Sequence, residues 1–235
     1  MAQMMHETAE VRQLGFGFRV PPKPRKARKP KRGRPRSARG VRHLPRDVAA
    51  RCPFHVTLKM RRHVWQLRSR RCGVVVRTAL LRGHQKPGGR IVEFSVQHDH
   101  VHLVVEADDA RSLARMIQGL AVRIARGLNR VMGAKGKVFA ERFHSRVLRT
   151  PTEVRRTLVY VLQNARKHLA QLGHVLTVRW TDDEYSSSPW FGGWSETRPP
   201  PRGARPTSEA RTWLLTRGWR ERGGGPIRPD EVPRD

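Results

Sequence analysis

The chain has 235 residues and a mass of 27.0 kDa, room for one ordinary domain with long extensions or for two small domains, which excludes a large multidomain machine. Lys and Arg number 49 against 19 Asp and Glu, giving a formal charge of +30 and an isoelectric point near 11.8, so a polyanionic partner is the first expectation. No apolar run approaches the roughly 18 residues of a membrane span, and the first 20 residues hold Glu7 and Glu10 with no apolar signal segment, so neither export nor membrane insertion is expected.

The charge is unevenly placed. Residues 1–50 carry 14 basic and 3 acidic side chains, residues 51–170 carry 25 and 7, and residues 171–235 carry 10 and 9. Three segments follow: a basic arm over 1–50, a folded domain over 51–170 and an extension over 171–235. In the arm every charged residue from Arg12 to Arg46 is basic, and Pro21, Pro22, Pro24, Pro30, Pro35 and Pro45 oppose any helix, so a disordered segment is expected. Within it, Lys31-Arg32-Gly33-Arg34-Pro35-Arg36 resembles an AT-hook, which lays arginines into a narrow minor groove. A generic polybasic arm holding phosphates by counterion release accounts for the same residues.

The central segment opens with Phe54-His55-Val56-Thr57-Leu58-Lys59-Met60, whose polar and apolar residues alternate as in a half-buried strand. Residues 63–84 read as a helix. Ile91, Phe94 and Val96 mark a second strand and residues 101–105 a third; only Gln97-His98-Asp99 separates them, so the pair is an antiparallel hairpin. Leu113, Met116, Ile117, Leu120, Ala121, Ile124, Leu128 and Val131 then recur at helical spacing, with Arg111, Arg115, Arg126 and Arg130 off the stripe. Residues 143–149 read as a fourth strand. Pro151 opens a last helix, with Glu153 early and Lys167 and His168 late, as the helix dipole favours. The order βαββαβ plus a final helix predicts an α+β fold, an antiparallel sheet with helices on one face.

Beyond residue 170 the chain turns to Ser186-Ser187-Ser188-Pro189, Pro199-Pro200-Pro201 and Gly223-Gly224-Gly225, an irregular extension with tryptophans at 180, 190, 194, 213 and 219. These indoles either dock on the central domain or offer a stacking surface to exposed bases. Docking is the simpler expectation. Cys52 and Cys72 are too few for a disulfide framework or a four-cysteine zinc site and read as reduced thiols.

Chemistry concentrates in two places. His100 and His102 flank Val101 on a strand, so both imidazoles project from one face and can chelate a metal. Tyr160 falls almost opposite the stripe of Leu158, Val161, Leu162, Ala165 and Leu169, and Asn164 lies one turn further on its own face, with an amide oxygen able to complete a metal site.

Residues 52–168 resemble the single-tyrosine HUH transposases of the IS200 type, especially the REP-associated group with basic extensions. The resemblance is carried by the opening strand Phe54-His55-Val56-Thr57-Leu58, by His98-Asp99-His100-Val101-His102-Leu103-Val104-Val105-Glu106, by Val138-Phe139-Ala140-Glu141-Arg142-Phe143-His144, and by Tyr160-Val161-Leu162-Gln163-Asn164. It implies a ferredoxin-like sheet, Mg²⁺ or Mn²⁺ held by His100, His102 and Asn164, and Tyr160 attacking a single-stranded DNA phosphodiester. The products it implies are a covalent 5′-phosphotyrosine and a free 3′-OH. It also implies hairpin or repeat DNA as substrate, a homodimer, and a cytoplasmic, nucleoid-associated location. Lys31, Arg32, Arg34, Arg36, Arg142, His144 and Arg156 are the expected DNA contacts.

The sequence departs from the family at Asp99, where Asn is usual; the aspartate either adds a carboxylate near the metal or, as preferred here, caps the turn. Two other functions remain open: a passive DNA- or RNA-binding protein on a ferredoxin-like sheet, and a zinc hydrolase using His98, His100 and His102 with water as nucleophile.

Overall fold

The computed structural model describes residues 51–171, 183–198, 201 and 203–233. The basic arm, including Lys31, Arg32, Arg34 and Arg36, lies outside the described residues, as does Trp180. Five antiparallel strands form one sheet: β1 (Phe54–Lys59), β2 (Gln85–Lys86), β3 (Gly89–Val96), β4 (His100–Ala107) and β5 (His144–Val147), in spatial order β2-β3-β4-β1-β5. Without the two-residue β2, this is the ferredoxin-like order that βαββαβ connectivity requires.

Alternation along the strands builds two different faces. Phe54, Val56, Leu58, Ile91, Phe94, Val96, Val101, Leu103 and Val105 are buried in one apolar cluster with residues of α1 (Arg70–Leu81) and α2 (Ala110–Met132). The apolar stripe of α2 is buried as its spacing predicts, and Asp109 caps the helix by accepting a 2.6 Å bond from the Ser112 N–H. Helix α1 is shorter than the predicted 63–84 because Ser69 caps its start; the preceding loop is tied to the β3–β4 turn by a Leu67 N–H to His98 carbonyl bond. The missed β2 is exposed at both residues and pairs with β3 across a tight turn, where Gly88 adopts φ 78°.

The other face is also covered, which corrects the expectation of helices on one face alone. Helix α3 (Pro151–Leu162), opened by a Thr150–Glu153 capping box, packs against Val92 and Val104. The C-terminal segment then packs on α3, burying Leu214, Leu215, Trp219 and Ile227 in the same cluster. A π-helical turn, Leu214–Gly218, and α5 (Trp219–Glu221) carry the first three of these residues. Helix α3 is thus apolar around most of its circumference because it is buried on two sides. The tryptophans divide accordingly: Trp219 is buried, Trp190 and Trp194 are half-buried, and Trp213 is exposed. Cys52 and Cys72 are free thiols. Among the described residues no helix is long and apolar enough to cross a membrane.

Candidate active site

Strand register assembles the site. Ser95 on β3, His102 on β4, Thr57 on β1 and His144 on β5 stand opposite one another across the sheet, and the adjoining row runs Glu93, Val104, His55, Arg146. Directly paired residues share a face, so this is a polar belt on the side that α3 covers. Val101, Leu103 and Val105 point to the α1/α2 core, as alternation predicted.

His102 is the centre of the belt. Its Nδ1 lies 3.1 Å from His55 Nε2 and 3.2 Å from Thr57 Oγ1, and its Nε2 lies 3.4 Å from the Tyr160 hydroxyl. The ring centroids of His100 and His102 are 4.6 Å apart, and those of His102 and Tyr160 are 5.0 Å apart. Tyr160 therefore meets His102 within one chain. Burial pushes the His102 imidazole down to about 3, aided by the neighbouring His55, His100 and His168. His55 is pushed down to about 4, first by burial and then by Arg146 and His144. Both rings are neutral at ordinary pH, the state in which an imidazole nitrogen can accept a metal.

Asp99 sits exposed in the β3–β4 turn, with its carboxylate beside the histidine pair. Its carboxylate accepts a 2.7 Å bond from His100 Nδ1, so it orients that imidazole, and the bond holds the Asp99 carboxyl below its ordinary range. With Asp99 at one Nδ1 and His55 and Thr57 at the other, the Nε2 atoms of His100 and His102 remain as the outward donors. His98 is exposed in the turn. Among the described residues no group of three or more His, Cys, Asp or Glu forms a metal cluster.

The third ligand expected from the sequence is Asn164. Its side chain is buried, and neither amide atom has a hydrogen-bond partner. An orphaned buried amide costs about 1–3 kcal/mol, which a bound cation would offset at the oxygen. The predicted single helix from Pro151 to His168 is broken here: α3 ends at Leu162, Gln163 has φ −111° and ψ 16°, and α4 (Asn164–Gln171) starts anew. Tyr160 and Asn164 thus belong to two helices joined at Gln163. Lys167 of α4 sets its ammonium 5.5 Å from the centroid of the Tyr160 ring.

Of the remaining expected contacts, His144 ends the belt row on β5, and Arg142 and Arg156 lie outside the belt. Arg142 and His144 are exposed before and on the edge strand β5, and Arg156 is exposed on α3. Glu106, on the site-facing side of β4, accepts from the backbone N–H groups of Arg211 and Thr212 and pairs with Arg90 at 3.4 Å, so it fastens the C-terminal segment. No site role is read from the sequence for His55, Thr57, Arg146 or Lys167, although the first two lie in the strand that carries the resemblance. His55 and Thr57 share the polar face of β1 by alternation, but only pairing with β4 places them beside His102.

Residues 49–161, just under half of the chain, match the family described as Transposase IS200 like. No curated protein matches the chain. Among solved structures, it is similar to a REP-associated tyrosine transposase bound to a REP hairpin, with TM-score 0.48 and 17% identity over 63% of this chain and 82% of that one. It is also similar to a candidate transposase from Deinococcus radiodurans R1, with TM-score 0.36 and 13% identity over 55% of this chain and 93% of that one.

Proposed function

We propose that this transposase is a metal-dependent enzyme that nicks and rejoins single-stranded DNA, with Tyr160 as nucleophile and His100, His102 and Asn164 as metal ligands. The observation that carries the reading is the placement of the Tyr160 hydroxyl 3.4 Å from His102 Nε2, beside an imidazole whose Nδ1 already has two neighbours. The phenolic oxygen forms a bond to phosphorus, the bond from phosphorus to the 3′ oxygen breaks, and the phenol's proton ends on the released 3′-OH. The phosphoester persists as 5′-phosphotyrosine, so rejoining needs no high-energy cofactor.

Two imidazole nitrogens and a buried amide oxygen with no other partner would hold a divalent cation, and Mg²⁺ or Mn²⁺ is the ion that the family resemblance implies. When bound, the cation supplies positive charge against the scissile phosphate and the departing oxygen. The protein's own groups do the rest. Asp99 and His55 fix the two rings, α3 sets the tyrosine over the sheet, and Lys167 adds a cation beside the phenol.

A DNA substrate, hairpin or repeat in origin, agrees with the +30 charge, and Arg142, His144 and Arg156 with the basic arm are the proposed contacts. The domain boundaries at residues 50 and 170 and the homodimer belong to the same proposal.

The test is incubation of wild-type and Tyr160→Phe protein with labelled single-stranded DNA and Mn²⁺. A denaturation-resistant protein–DNA adduct formed by wild type and lost in the variant is the expected result. Binding without an adduct in either protein would overturn the catalytic reading in favour of a passive nucleic-acid binder. Cleavage without an adduct would favour water as nucleophile.

A further inference from the structure

A cleft of about 790 Å³ lies at the far end of the sheet from Tyr160, within the size range of ligand-binding clefts. Its walls are the start of β3, the end of β4, the residues leading into α3, and residues 211–214 of the C-terminal segment. Four arginines line it, Arg51, Arg90, Arg149 and Arg211, against the carboxylates of Glu106 and Asp108. Glu106 is already engaged by two backbone N–H groups and by Arg90, so the cleft presents a net positive wall.

The cleft also holds Trp213, whose side chain is 45% exposed although its neighbours Leu214 and Leu215 are buried. Its six-membered ring lies over Gly218, where a β-carbon would stand 2.7 Å from it, and the Arg222 guanidinium sits 5.7 Å from its ring centroid. The indole is thus held in a fixed orientation by the turn beneath it while much of its surface faces water. Exposed aromatic surface next to arginines is the combination that single-stranded nucleic acid uses, bases stacking on the ring and phosphates pairing with the guanidinium groups.

We propose that this cleft is a second DNA-binding site, in which a base of a single strand stacks on Trp213 while flanking phosphates are held by Arg51 and Arg211. The inference rests on the DNA reading of the catalytic site and extends it to residues 211–213, which lie outside the family match at 49–161. From His102 to Ala107 along β4 is about 16 Å at the usual strand rise. Helix α3 packs on Val104 between the two, so a strand linking the cleft to Tyr160 passes around the helix and needs more than about five nucleotides, the number that would span this distance at roughly 3.4 Å each. The C-terminal segment, fastened by Glu106, thereby lengthens the DNA track beyond the catalytic centre.

The test uses the full chain and a labelled single-stranded oligonucleotide. Trp213→Ala is expected to weaken binding by roughly 5- to 150-fold, the range of one lost stacking contact, and Trp213→Phe to retain most of it. Arg51→Ala and Arg211→Ala, both at exposed side chains, are each expected to lower the salt slope of binding by about one. Trp213→p-benzoylphenylalanine is expected to cross-link to the oligonucleotide on irradiation, and the same change at Val122, 43% exposed on α2, is not. Arginine variants within twofold of wild type and no cross-link from position 213, with the Tyr160 adduct still formed, would overturn this site and leave the catalytic proposal standing. Failure of wild type to bind any single strand would overturn both.

Discussion

His55 Nε2 stands 3.1 Å from His102 Nδ1, so two imidazoles from neighbouring strands meet ring nitrogen to ring nitrogen beneath the proposed nucleophile. A metal on His102 Nε2 requires the proton on Nδ1, and His55 is an acceptor placed to hold it there. Replacing His55 by Ala should therefore weaken Mn²⁺ binding by about 10- to 100-fold, the usual cost of losing a group that orients a metal-bound histidine. Calorimetric Mn²⁺ titration of wild type and His55→Ala checks this, and His55→Gln, whose side-chain oxygen can accept the same proton, should recover part of the loss. Equal Mn²⁺ affinity in all three proteins would remove His55 from the site.

Tyr160 and His102 meet within one chain, which predicts the outcome of a mixing experiment. Tyr160→Phe and His102→Ala proteins, each inactive alone, should stay inactive when combined, because neither chain then holds a complete site. Adduct formation restored by mixing would mean that α3 reaches the histidines of a second copy in the working enzyme.

The parts of this site that could be read in the sequence are those built by local periodicity. His100 and His102 share a face because a strand alternates, and Tyr160 departs from the apolar stripe of its helix because a helix repeats every 3.6 residues. Helix α2 was legible for the same reason. What periodicity cannot carry is pairing between distant segments: His55 and Thr57 reach His102 only through the β1–β4 register, 45 to 47 residues away in sequence. The break at Gln163 was invisible for another reason. It is held by the C-terminal segment, whose Arg228 and Pro229 carbonyls accept from Gln163 Nε2 at 3.3 and 2.8 Å. Likewise β2 has two exposed residues and no apolar pattern to announce it.

That C-terminal fastening has a measurable strength. Arg155 on α3 makes two bonds to the Glu231 carboxylate, at 2.8 and 2.9 Å, and also donates to the Gly225 carbonyl at 2.9 Å. Both side chains are largely shielded, so the pair is worth more than an exposed one, and Glu231→Gln should cost about 1–2 kcal/mol. For a chain of this size that lowers Tm by roughly 2–8 °C in a thermal melt. A larger loss of adduct formation than of stability would mean that the segment also sets the position of Tyr160.

Glu93 gives the fold a pH dependence of definite sign. It lies on β3, one row from the Ser95–His102 row, almost wholly buried; its Oε2 has no partner, and Arg205 approaches Oε1 only to 4.0 Å. Burial pushes its carboxyl up to about 7, against the lowering effects of the Ser187 bond and Arg205. The folded state then binds a proton that the unfolded state has released between pH 4.5 and 7. Its contribution to stability is fully present below 4.5 and is lost as pH rises through 7. His55 and His102, whose values are lowered, act in the opposite sense below 6.5, so the wild-type profile is a sum of opposing terms. Comparison with Glu93→Gln isolates the carboxyl: the amide cannot ionise, so the Tm difference between variant and wild type should grow in favour of the variant from pH 5 to pH 8. Each pH unit of the window is worth at most about 1.4 kcal/mol. A Tm difference that does not change with pH would mean that Glu93 is ionised in the folded protein throughout, with Arg205 closing on it as its partner.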